Sequence, residues 1–395
     1  MPSKSKRILL LTTSYLPLIG GSELAIKEVT DRITDYEFDL ITARVSAGLL
    51  EEEKMGRVHV FRVGNRFNLF NFLLPKSFLS LPIFFKARSL IKNGRSYDAV
   101  HVFQASQAAG AAWLLKWFYP RLPVILTLQE GKDLSRQSWL LRFFRYLIIR
   151  HADQATVISN YLGRYLASVR KNLPIKLIPN GVDWENFSRE FSYGETSQLC
   201  DQLGILPGDK VIISSSRLTY KNGIDNLIRA FRVLCQQSLV SPNGGPTTPY
   251  RLLLIGDGEL RGYLTELAKQ LGVRDRIIFT GTVNNSELVK YLKISQVFVR
   301  PSRSEGLGIS FLEAMAAGIP IVGPAVGGIP DFLKDDETGL ICKPLDPDDI
   351  ARKIALVLEG EVMRKKIIKN ARELVKKDYN WEQIAPEYQK LYAQF

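Results

Sequence analysis

The sequence predicts two α/β domains in tandem, each built on a doubly wound parallel β-sheet. Short apolar runs rich in β-branched residues alternate with segments of helical period, which is typical of βαβ units. The first series of runs covers residues 7–11, 38–42, 58–62, 99–103, 124–128, 154–157 and 176–178. A second series covers residues 211–215, 251–255, 277–280, 297–300, 321–322 and 340–342. Because 395 residues are too many for one hydrophobic core, each series is assigned its own domain.

A polar stretch, residues 188–209, separates the two series, and we interpret it as the hinge. It divides a first domain of residues 1–187 from a second domain of residues 188–380. Residues 236–250 hold three prolines around a Gly-Gly pair. We predict a surface loop there, longer than such loops usually are, and assign it no chemistry.

The end of the chain is predicted to be helical from Asp346 to Phe395, with a break near Asn380. Pro347 suits a first helical turn behind a capping Asp346. Asp346 and Asp348 also match the letters of a metal-binding DxD pattern. Their position just before a helix favours the capping role.

The composition excludes several classes of protein. Hydrophobic residues make up 46% of the chain and charged residues 24%, which is typical of a globular protein and not of a disordered one. The 3 cysteines are far apart and the 3 histidines form no ligand-like pair. This pattern fits neither a disulfide framework nor a zinc site. We therefore expect a reducing compartment, no metal centre and no resident cofactor.

Two apolar stretches resemble a signal peptide and a transmembrane helix, but neither meets the requirements for that assignment. The N-terminal run is interrupted by hydroxyl residues at 12–14 and lacks a small-residue cleavage site, which favours a buried strand over a signal peptide. Residues 67–85 contain Pro75, Lys76 and Pro82. They fall short of the ~20 clean apolar residues that a transmembrane helix needs.

The net charge of +13 belongs to one region. Residues 57–176 hold 19 of the 53 Lys and Arg but 4 of the 40 Asp and Glu, a net charge of +15, so the rest of the chain carries −2. Two segments of this region, 66–88 and 136–150, mix cations with Phe, Trp, Leu and Ile. Such segments are expected on a surface that lies against an anionic membrane. The alternative is a pair of buried helices with cationic rims.

The segment 300–331 carries the most chemical information. A predicted strand ends at Arg300, and the glycine loop 305–308 opens a helix. The free N–H groups and positive dipole end of such a helix suit a phosphate. Glycines at 306 and 308 allow a ligand to approach the backbone closely.

Two carboxylates flank this predicted phosphate site. Glu305 precedes the helix and Glu313 follows about eight residues later, roughly 12 Å along the helix axis. A carboxylate is repelled by phosphate but accepts hydrogen bonds from hydroxyl groups. Either residue alone is readily explained as an ordinary helix acid. Together, in this loop, they predict that one binds a sugar and the other a ribose.

A second loop, residues 214–225, also runs from a predicted strand into a helix. It places Arg217 and Lys221 at the carboxyl edge of the sheet, where doubly wound folds bind ligands. A helix N-terminus repels cations unless an anion is present, which disfavours a pair of ordinary surface cations. We expect both residues to neutralise a leaving diphosphate, a role that needs no proton transfer.

Two further glycine turns give weaker signals. Gly20 and Gly21 follow the first strand and open a helix, but the full dinucleotide fingerprint is missing. Both a close approach to phosphate or sugar and a plain tight turn stay open there. Residues 256–259, GDGE, resemble a phosphate loop but lack the Lys and Ser/Thr of a Walker motif. No Ser-His-Asp or Cys-His nucleophile arrangement is apparent.

With these segments in this order, the chain resembles the family-four glycosyltransferases of the retaining GT-B class. The resemblance covers nearly the whole chain and is carried by Gly20-Gly21, NGVD at 180–183, Arg217 with Lys221, GDGE at 256–259 and EGLGISFLEAMAAGIP at 305–320. The last motif is highly specific. The resemblance implies two Rossmann-like domains facing a cleft, with the acceptor on the first and the nucleotide-sugar donor on the second. It also implies a last helix, residues 381–395, that crosses back to the first domain.

The resemblance also implies roles for individual residues. Arg217 and Lys221 contact the donor diphosphate, Glu305 contacts the transferred sugar, and Glu313 contacts the nucleotide ribose. Further donor contacts are implied for the backbone of Gly306, Leu307, Gly308, Ile309, Gly20 and Gly21. Retention without an obvious nucleophile implies a front-face route, in which the departing phosphate takes the acceptor proton. The class needs no metal.

One residue departs from the family pattern. The family usually has a histidine two residues after a threonine at the end of an N-domain strand, and here Gln129 follows Thr127 in that place. Glutamine can hydrogen-bond a sugar hydroxyl but cannot titrate, so any acid-base role is lost. Glu130, Asp133 and His101 are further polar candidates on the acceptor side.

We therefore expect a peripheral enzyme on the inner face of the cytoplasmic membrane, which transfers a sugar from a nucleotide sugar to a lipid-linked or membrane-surface acceptor. Three alternatives stay open: a nucleotide-sugar epimerase or hydrolase, a nucleic-acid-binding protein that uses the basic region, and a catalytically silent relative. Glu305 and Glu313 argue against nucleic acid, because they would repel a phosphate backbone. The base, the sugar, the acceptor and the oligomeric state do not follow from the sequence.

Overall fold

The computed structural model describes residues 6–18, 20–46, 48–64, 79–131, 139–238 and 250–395. The chain divides into two compact units. Unit 1 comprises Met1–Asn180 and Trp381–Phe395, and unit 2 comprises Gly181–Asn380.

Unit 1 is an α/β unit with an almost entirely parallel sheet. Its described strands are β1 (Lys6–Leu11), β2 (Tyr36–Ala43), β3 (Glu52–Met55), β4 (Val58–Val63), β5 (Ala99–Phe103), β6 (Val124–Leu128), β7 (Gln154–Val157) and β8 (Ile175–Leu177). They are ordered β3-β4-β2-β1-β5-β6-β7-β8, and β3 runs antiparallel to β4. The described helices up to the crossing into unit 2 are α1 (Gly21–Arg32), α2 (Ser80–Lys92), α3 (Gln107–Phe118), α4 (Trp139–His151) and α5 (Asn160–Val169).

Unit 2 has a parallel sheet in the doubly wound order β11-β10-β9-β12-β13-β14. Its described strands are β9 (Lys210–Ser215), β10 (Tyr250–Ile255), β11 (Ile277–Gly281), β12 (Val297–Val299), β13 (Ile321–Pro324) and β14 (Leu340–Cys342). The helices are α6 (Trp184–Ser188), α7 (Tyr193–Leu203), α8 (Ile224–Ser238), α9 (Arg261–Gln270), α10 (Asn285–Lys293), α11 (Ile309–Ala316), α12 (Pro347–Glu359) and α13 (Glu361–Asp378). Single 3₁₀ turns form at Tyr220–Asn222, Arg274–Arg276 and Ile329–Asp331.

The predicted fold class is confirmed, and each predicted apolar run coincides with a strand. The strands can be recognised in the sequence because strands of parallel sheets are buried on both faces and therefore form continuous apolar runs. One strand escaped prediction. The sequence of β3 is EEKM and its side chains are exposed or half-buried, so it carries no apolar run. It pairs only with β4 among the described strands, at the edge of the sheet.

The polar stretch 188–209, predicted as a hinge, lies inside unit 2, and the crossing from unit 1 falls at Asn180 and not at residue 187. Half of the stretch forms α7. Ser192 and Glu195 make a reciprocal capping box at its start. The residues just before this stretch already belong to unit 2, where the Val182 N–H donates to the Tyr379 carbonyl at 2.7 Å.

The last helix, α14 (Trp381–Tyr392), follows α13 and belongs to unit 1. Its Trp381, Ile384, Tyr388, Leu391 and Tyr392 lie in the hydrophobic core of that unit. The predicted helix start at Asp346 is confirmed, because its carboxylate accepts from the Asp349 N–H at 3.1 Å.

His101, an acceptor-side candidate from the sequence, is a core residue in the structure. Its side chain is fully buried on β5. One ring nitrogen pairs with the Tyr392 hydroxyl at 2.8 Å, and the other pairs with the Thr127 hydroxyl at 2.6 Å. Burial lowers the pKa of His101 to about 3. Because both nitrogens are occupied inside unit 1, we withdraw it from the acceptor-side candidates.

Parts of three predicted features lie outside the described residues: residues 65–78 of the basic aromatic region, residues 132–138 with Asp133, and residues 239–249 of the proline-rich loop. Among the helices that the structure describes, none is long and apolar enough to cross a membrane.

The packing of α14 predicts that Tyr392→Ala destabilises unit 1 by ~3–5 kcal/mol, because it removes a buried aromatic ring. The ring lies 5.6 Å from both Tyr36 and His101, centre to centre. Tyr392→Phe should cost ~1–3 kcal/mol, because a buried ring nitrogen loses its partner. Thermal unfolding of both variants measures this. Lys390→Ala, on the exposed face of α14, is the control, and equal melting of Tyr392→Ala and the control would contradict the role of α14.

Candidate functional site

The strand order of unit 2 reverses between β9 and β12, since β10 and β11 lie on one side and β13 and β14 on the other. The connections from β9 and β12 leave in opposite directions, which opens a crevice at the carboxyl edge of the sheet. The predicted donor residues belong to this edge. Arg217 and Lys221 follow β9, Glu305 follows β12, and Glu313 lies on α11.

Glycines allow the loops of this edge to touch backbone to backbone. A Cβ at Gly223 would lie 2.0 Å from the Pro301 carbonyl oxygen, and one at Gly256 would lie 2.0 Å from that of Ser216. A Cβ at Gly327 would lie 1.7 Å from the Glu305 carbonyl oxygen. All three glycines have positive φ angles, a conformation that other residues rarely adopt. No larger residue fits these positions, and the loops are held together there.

The predicted donor residues Lys221 and Glu305 meet directly. Lys221 Nζ lies 3.3 Å from Glu305 Oε2, and Lys221 is partly exposed. Arg217 is exposed, and no hydrogen bond or ion pair of its side chain is found within the described ranges. The edge therefore presents one cation in contact with a carboxylate and another that faces solvent.

The glycine loop leads into the N-terminus of α11. Gly308 is the N-cap residue and has a φ of 102°, where a side chain would be strained. Gly306, Leu307 and Gly308 are buried, and Ile309 is half-buried at the first helical position. The first N–H groups of a helix have no acceptor within it, so they are available to an anion.

Glu313 lies on α11 and is 7% exposed. Burial raises its pKa to about 7, and the opposing effect comes from the positive charge of Arg300. A carboxylate in this state changes charge close to neutral pH. Arg300 was predicted only as the last residue of a strand, so its place beside the site was missed. The available signal was a cation directly after the apolar run of β12, since a buried charge needs partners.

Unit 1 has its own strand reversal, between β1 and β5. The predicted turn at 20–21 opens α1 there, and a Cβ at Gly20 would lie 2.6 Å from Glu23 Oε2. Glu23 is buried and accepts hydrogen bonds from the hydroxyls of Ser14 and Ser22. Gln104, after β5, has a φ of 73° and donates to the Ser22 hydroxyl at 3.2 Å. Glu23 was not predicted from the sequence, although an acid in the first turn after a Gly-Gly pair was a visible signal.

Gln129 and Glu130 follow β6 at the same edge of unit 1. Gln129 is buried, and its Oε1 accepts from Asn180 Nδ2 at 3.2 Å. Its Nε2 is buried without a hydrogen-bond partner in the described part of the chain. Glu130 accepts from the N–H groups of Ala105 and Gln129. Burial raises the pKa of Glu130, against the charge of Arg145 and these N–H groups.

The chemistry of the two edges differs. The edge of unit 2 combines cations, a helix N-terminus and carboxylates, a set that suits a diphosphate with hydroxyl groups attached. The edge of unit 1 offers amide and carboxylate groups, which suit hydroxyl groups. In the residues that the structure describes, no group of three or more His, Cys, Asp and Glu is arranged to hold a metal ion.

Two family models match the chain, one over most of unit 1 and one within unit 2. Residues 19–186 match the model of Glycosyltransferase Family 4, and residues 197–374 match that of Glycosyl transferases group 1. An uncharacterised glycosyltransferase of Methanocaldococcus jannaschii is 30% identical over 403 residues, covering 98% of this chain and 97% of that protein. The N-acetyl-alpha-D-glucosaminyl L-malate synthase of Bacillus anthracis is 26% identical, with 95% and 94% covered. A GDP-mannose-dependent phosphatidylinositol monomannoside mannosyltransferase of Mycobacterium tuberculosis is 28% identical, with 59% and 60% covered.

Solved structures share the fold. The sucrose-phosphate synthase of Thermosynechococcus elongatus superposes with a TM-score of 0.81 at 22% identity, covering 98% of both chains. Anabaena HepE, solved with UDP and glucose, gives a TM-score of 0.79 at 21% identity and covers 99% of this chain and 100% of that one. These neighbours have the GT-B architecture of two parallel-sheet α/β domains. The two family matches, together with the Methanocaldococcus jannaschii relative that aligns with 98% of this chain, show that the chain belongs to the family-four glycosyltransferases.

Proposed function

We propose that the enzyme is a retaining, metal-independent glycosyltransferase that takes a hexosyl group from a nucleoside diphosphate donor. The observation that carries this proposal is the meeting of Lys221 and Glu305, 3.3 Å apart, beside the N-terminus of α11. A cation and a helix N-terminus suit a diphosphate, and a carboxylate beside them suits the hydroxyls of the attached sugar.

In the proposed complex, Arg217, Lys221 and the N–H groups at the start of α11 bind the diphosphate, with the backbone of the 306–309 loop against it. Glu305 accepts from the transferred sugar, and Glu313 accepts from the ribose. As the bond from C1 to the phosphate oxygen breaks, negative charge builds on the diphosphate. The cations stabilise this charge more strongly in the transition state than in the ground state, which lowers the barrier.

Retention follows if the acceptor attacks C1 on the face from which the diphosphate leaves. The acceptor oxygen then forms its bond to C1 as the phosphate bond breaks, and a phosphate oxygen takes the acceptor proton. This route needs no protein nucleophile and no titratable residue at Gln129. Arg217 and Lys221 supply the positive charge that a bound metal supplies in other transferases.

For the acceptor we propose a lipid-linked or membrane-surface molecule in a cell-envelope pathway, bound by unit 1. The buried Nε2 of Gln129, which has no hydrogen-bond partner among the described residues, can donate to an acceptor hydroxyl, and Glu130 lies next to it in the chain. The Mycobacterium tuberculosis relative acts by its name on a phosphatidylinositol mannoside, which supports a lipid acceptor. The relatives differ in their nucleotides, UDP in one structure and GDP in one name.

We further propose that unit 1 docks on the inner face of the cytoplasmic membrane through the α2–α4 surface. This surface is defined by exposed apolar side chains on three helices that pack side by side, namely Phe85, Trp117, Phe118, Trp139, Leu141, Phe143, Phe144 and Tyr146. Trp139 is 76% exposed. Arg142 and Arg150, also exposed, lie on α4 among these residues. Aromatic side chains with interspersed cations suit the interface of an anionic bilayer.

The donor proposal predicts that Glu305→Gln lowers sugar transfer at least ~10²-fold, the scale of losing one charged transition-state contact. The binding of the nucleoside diphosphate should stay within a few fold of wild type, because Arg217, Lys221 and α11 are unchanged. A thermal-shift panel of UDP-, GDP- and ADP-sugars identifies the donor, and mass spectrometry with lipid acceptors measures transfer.

Glu359→Gln, an exposed glutamate of α12, is the matched control and should transfer sugar like wild type. Undiminished transfer by Glu305→Gln would remove the central assignment. Release of free sugar in place of a glycosylated acceptor would identify a hydrolase, and loss of activity in EDTA would contradict the metal-independent route.

The membrane proposal predicts that Arg142→Gln combined with Arg150→Gln weakens binding to anionic vesicles ~30-fold, at ~1 kcal/mol per cation near the surface. Co-sedimentation with vesicles that contain or lack an anionic lipid measures this. Lys365→Gln combined with Lys366→Gln, exposed cations of α13 in unit 2, is the control for net charge. Weak and equal binding of the wild-type enzyme to both kinds of vesicle would exclude the docking surface.

A further inference from the structure

Arg300 follows β12, and its guanidinium is buried, with the residue 5% exposed. Burying a cation costs free energy unless charges and hydrogen bonds compensate for the lost water. Arg300 Nη1 donates to Ser310 Oγ at 2.6 Å and to the Ser215 carbonyl oxygen at 3.3 Å, and Nε donates to Ser302 Oγ at 3.1 Å. Its partners therefore come from three separate segments of the site.

These contacts fix the plane of the guanidinium. Ser215 ends β9, Ser302 lies in the loop after β12, and Ser310 lies in the first turn of α11. The guanidinium carbon also lies 4.7 Å from the ring centre of Phe311, a stacking contact that further restricts it. Arg300 is thus a rigid link between both loops of the strand reversal and the helix that begins there.

One terminal nitrogen of the Arg300 guanidinium has unused hydrogen-bonding capacity. Arg300 Nη2 is buried and has no hydrogen-bond partner among the described residues. It lies 3.6 Å from Glu305 Oε1, while Lys221 Nζ lies 3.3 Å from Oε2 of the same carboxylate. Charge-assisted hydrogen bonds in proteins are usually ~2.7–2.9 Å long. Glu305 therefore lies between a buried and a partly exposed cation, and neither binds it tightly.

A bound diphosphate changes the balance between the two cations. Lys221 is a flexible, partly exposed chain, and a diphosphate attracts it more strongly than one carboxylate does. Arg300 is held by its serine contacts and cannot follow. Once Lys221 turns away, Glu305 faces the repulsion of the phosphates. It needs a cation that stays in place.

We propose that Arg300 is a positioning residue of the donor site, which holds Glu305 against the transferred sugar when Lys221 moves to the diphosphate. This inference rests on the proposed function. A shift of under ~1 Å brings Glu305 Oε1 within hydrogen-bond distance of Nη2 and satisfies the buried N–H. Arg300 contacts no substrate and acts through the carboxylate.

The same guanidinium acts on the second carboxylate. Burial raises the pKa of Glu313, and Arg300 is the charged group that lowers it. In turn, burial lowers the pKa of Arg300, and the charges of Glu305 and Glu313 oppose this effect. Without Arg300 the pKa of Glu313 rises further, so the carboxylate becomes protonated and stops accepting from the ribose at a higher pH.

The test is Arg300→Met, which keeps the bulk and removes the charge. Nucleoside diphosphate binding by the wild-type enzyme should strengthen as pH rises through the pKa of Glu313, which is about 7. In the variant this rise should occur about one pH unit higher, the scale of losing a nearby charge. The variant should also lower kcat about tenfold or more and raise the donor KM, because no fixed cation holds Glu305 against the transferred sugar once Lys221 turns to the diphosphate.

Two variants separate positioning from folding. Arg300→Lys keeps the positive charge but lacks the planar guanidinium. Compared with Arg300→Met, it should restore most of the pH profile and recover kcat only in part. Arg251→Met removes an arginine that pairs with Asp209 at 3.0 Å, outside the donor loops. It should lower the melting temperature and leave both the pH profile and kcat unchanged. If Arg300→Met fails to fold, Ser310→Ala removes one contact of the guanidinium and should shift the profile less.

A wild-type pH profile and kcat in Arg300→Met, in an enzyme that binds nucleotide and transfers sugar, would overturn the role of Arg300 alone. A wild-type enzyme that binds no nucleoside diphosphate from the panel would overturn the proposed function, and this inference with it. An equal shift in Arg251→Met would show a general loss of structure and would also overturn it.

Discussion

A buried guanidinium is retained only where nearby groups compensate its charge, and this constraint organises the loops at the carboxyl edge of unit 2. Arg300 reaches the end of β9, the loop after β12 and the first turn of α11 through three serine contacts. The start of α11 is tied to Arg300 through Ser310, and Glu305 Oε1 lies 3.6 Å from Arg300 Nη2. The strand reversal opens the crevice, and Arg300 sets the spacing of the groups within it.

The glycines of this edge also hold the loops in place, through backbone contacts and not through side chains. Gly223, Gly256 and Gly327 bring neighbouring loops into backbone contact. The loops that carry the charged side chains are therefore closely packed. Unit 1 is organised differently. Its edge has two buried carboxylates, Glu23 and Glu130, which accept hydrogen bonds from hydroxyl and backbone N–H groups. A diphosphate suits the first arrangement and a hydroxylated acceptor suits the second.

Much of the fold followed from the sequence, because buried parallel strands leave apolar runs that helical segments interrupt. The charged edge strand β3 has no such run, and α7 was hidden by the polar composition of its surroundings. The site was predictable where one motif held its residues together, as from Glu305 to Glu313. For Arg300, the cation directly after the apolar run of β12 was a visible signal, but its partners were not, because its contact with Ser215 joins residues 85 positions apart. His101 was misplaced because its partner Tyr392 lies 291 positions away.

The most direct test is a crystal structure of the enzyme with the nucleoside diphosphate that the thermal-shift panel selects. We expect the diphosphate at the N-terminus of α11 with Lys221 Nζ bound to it. We also expect that Glu305 has left Lys221 and lies within hydrogen-bond distance of Arg300 Nη2. A diphosphate bound away from α11, or one bound there while Lys221 still pairs with Glu305, would contradict these expectations.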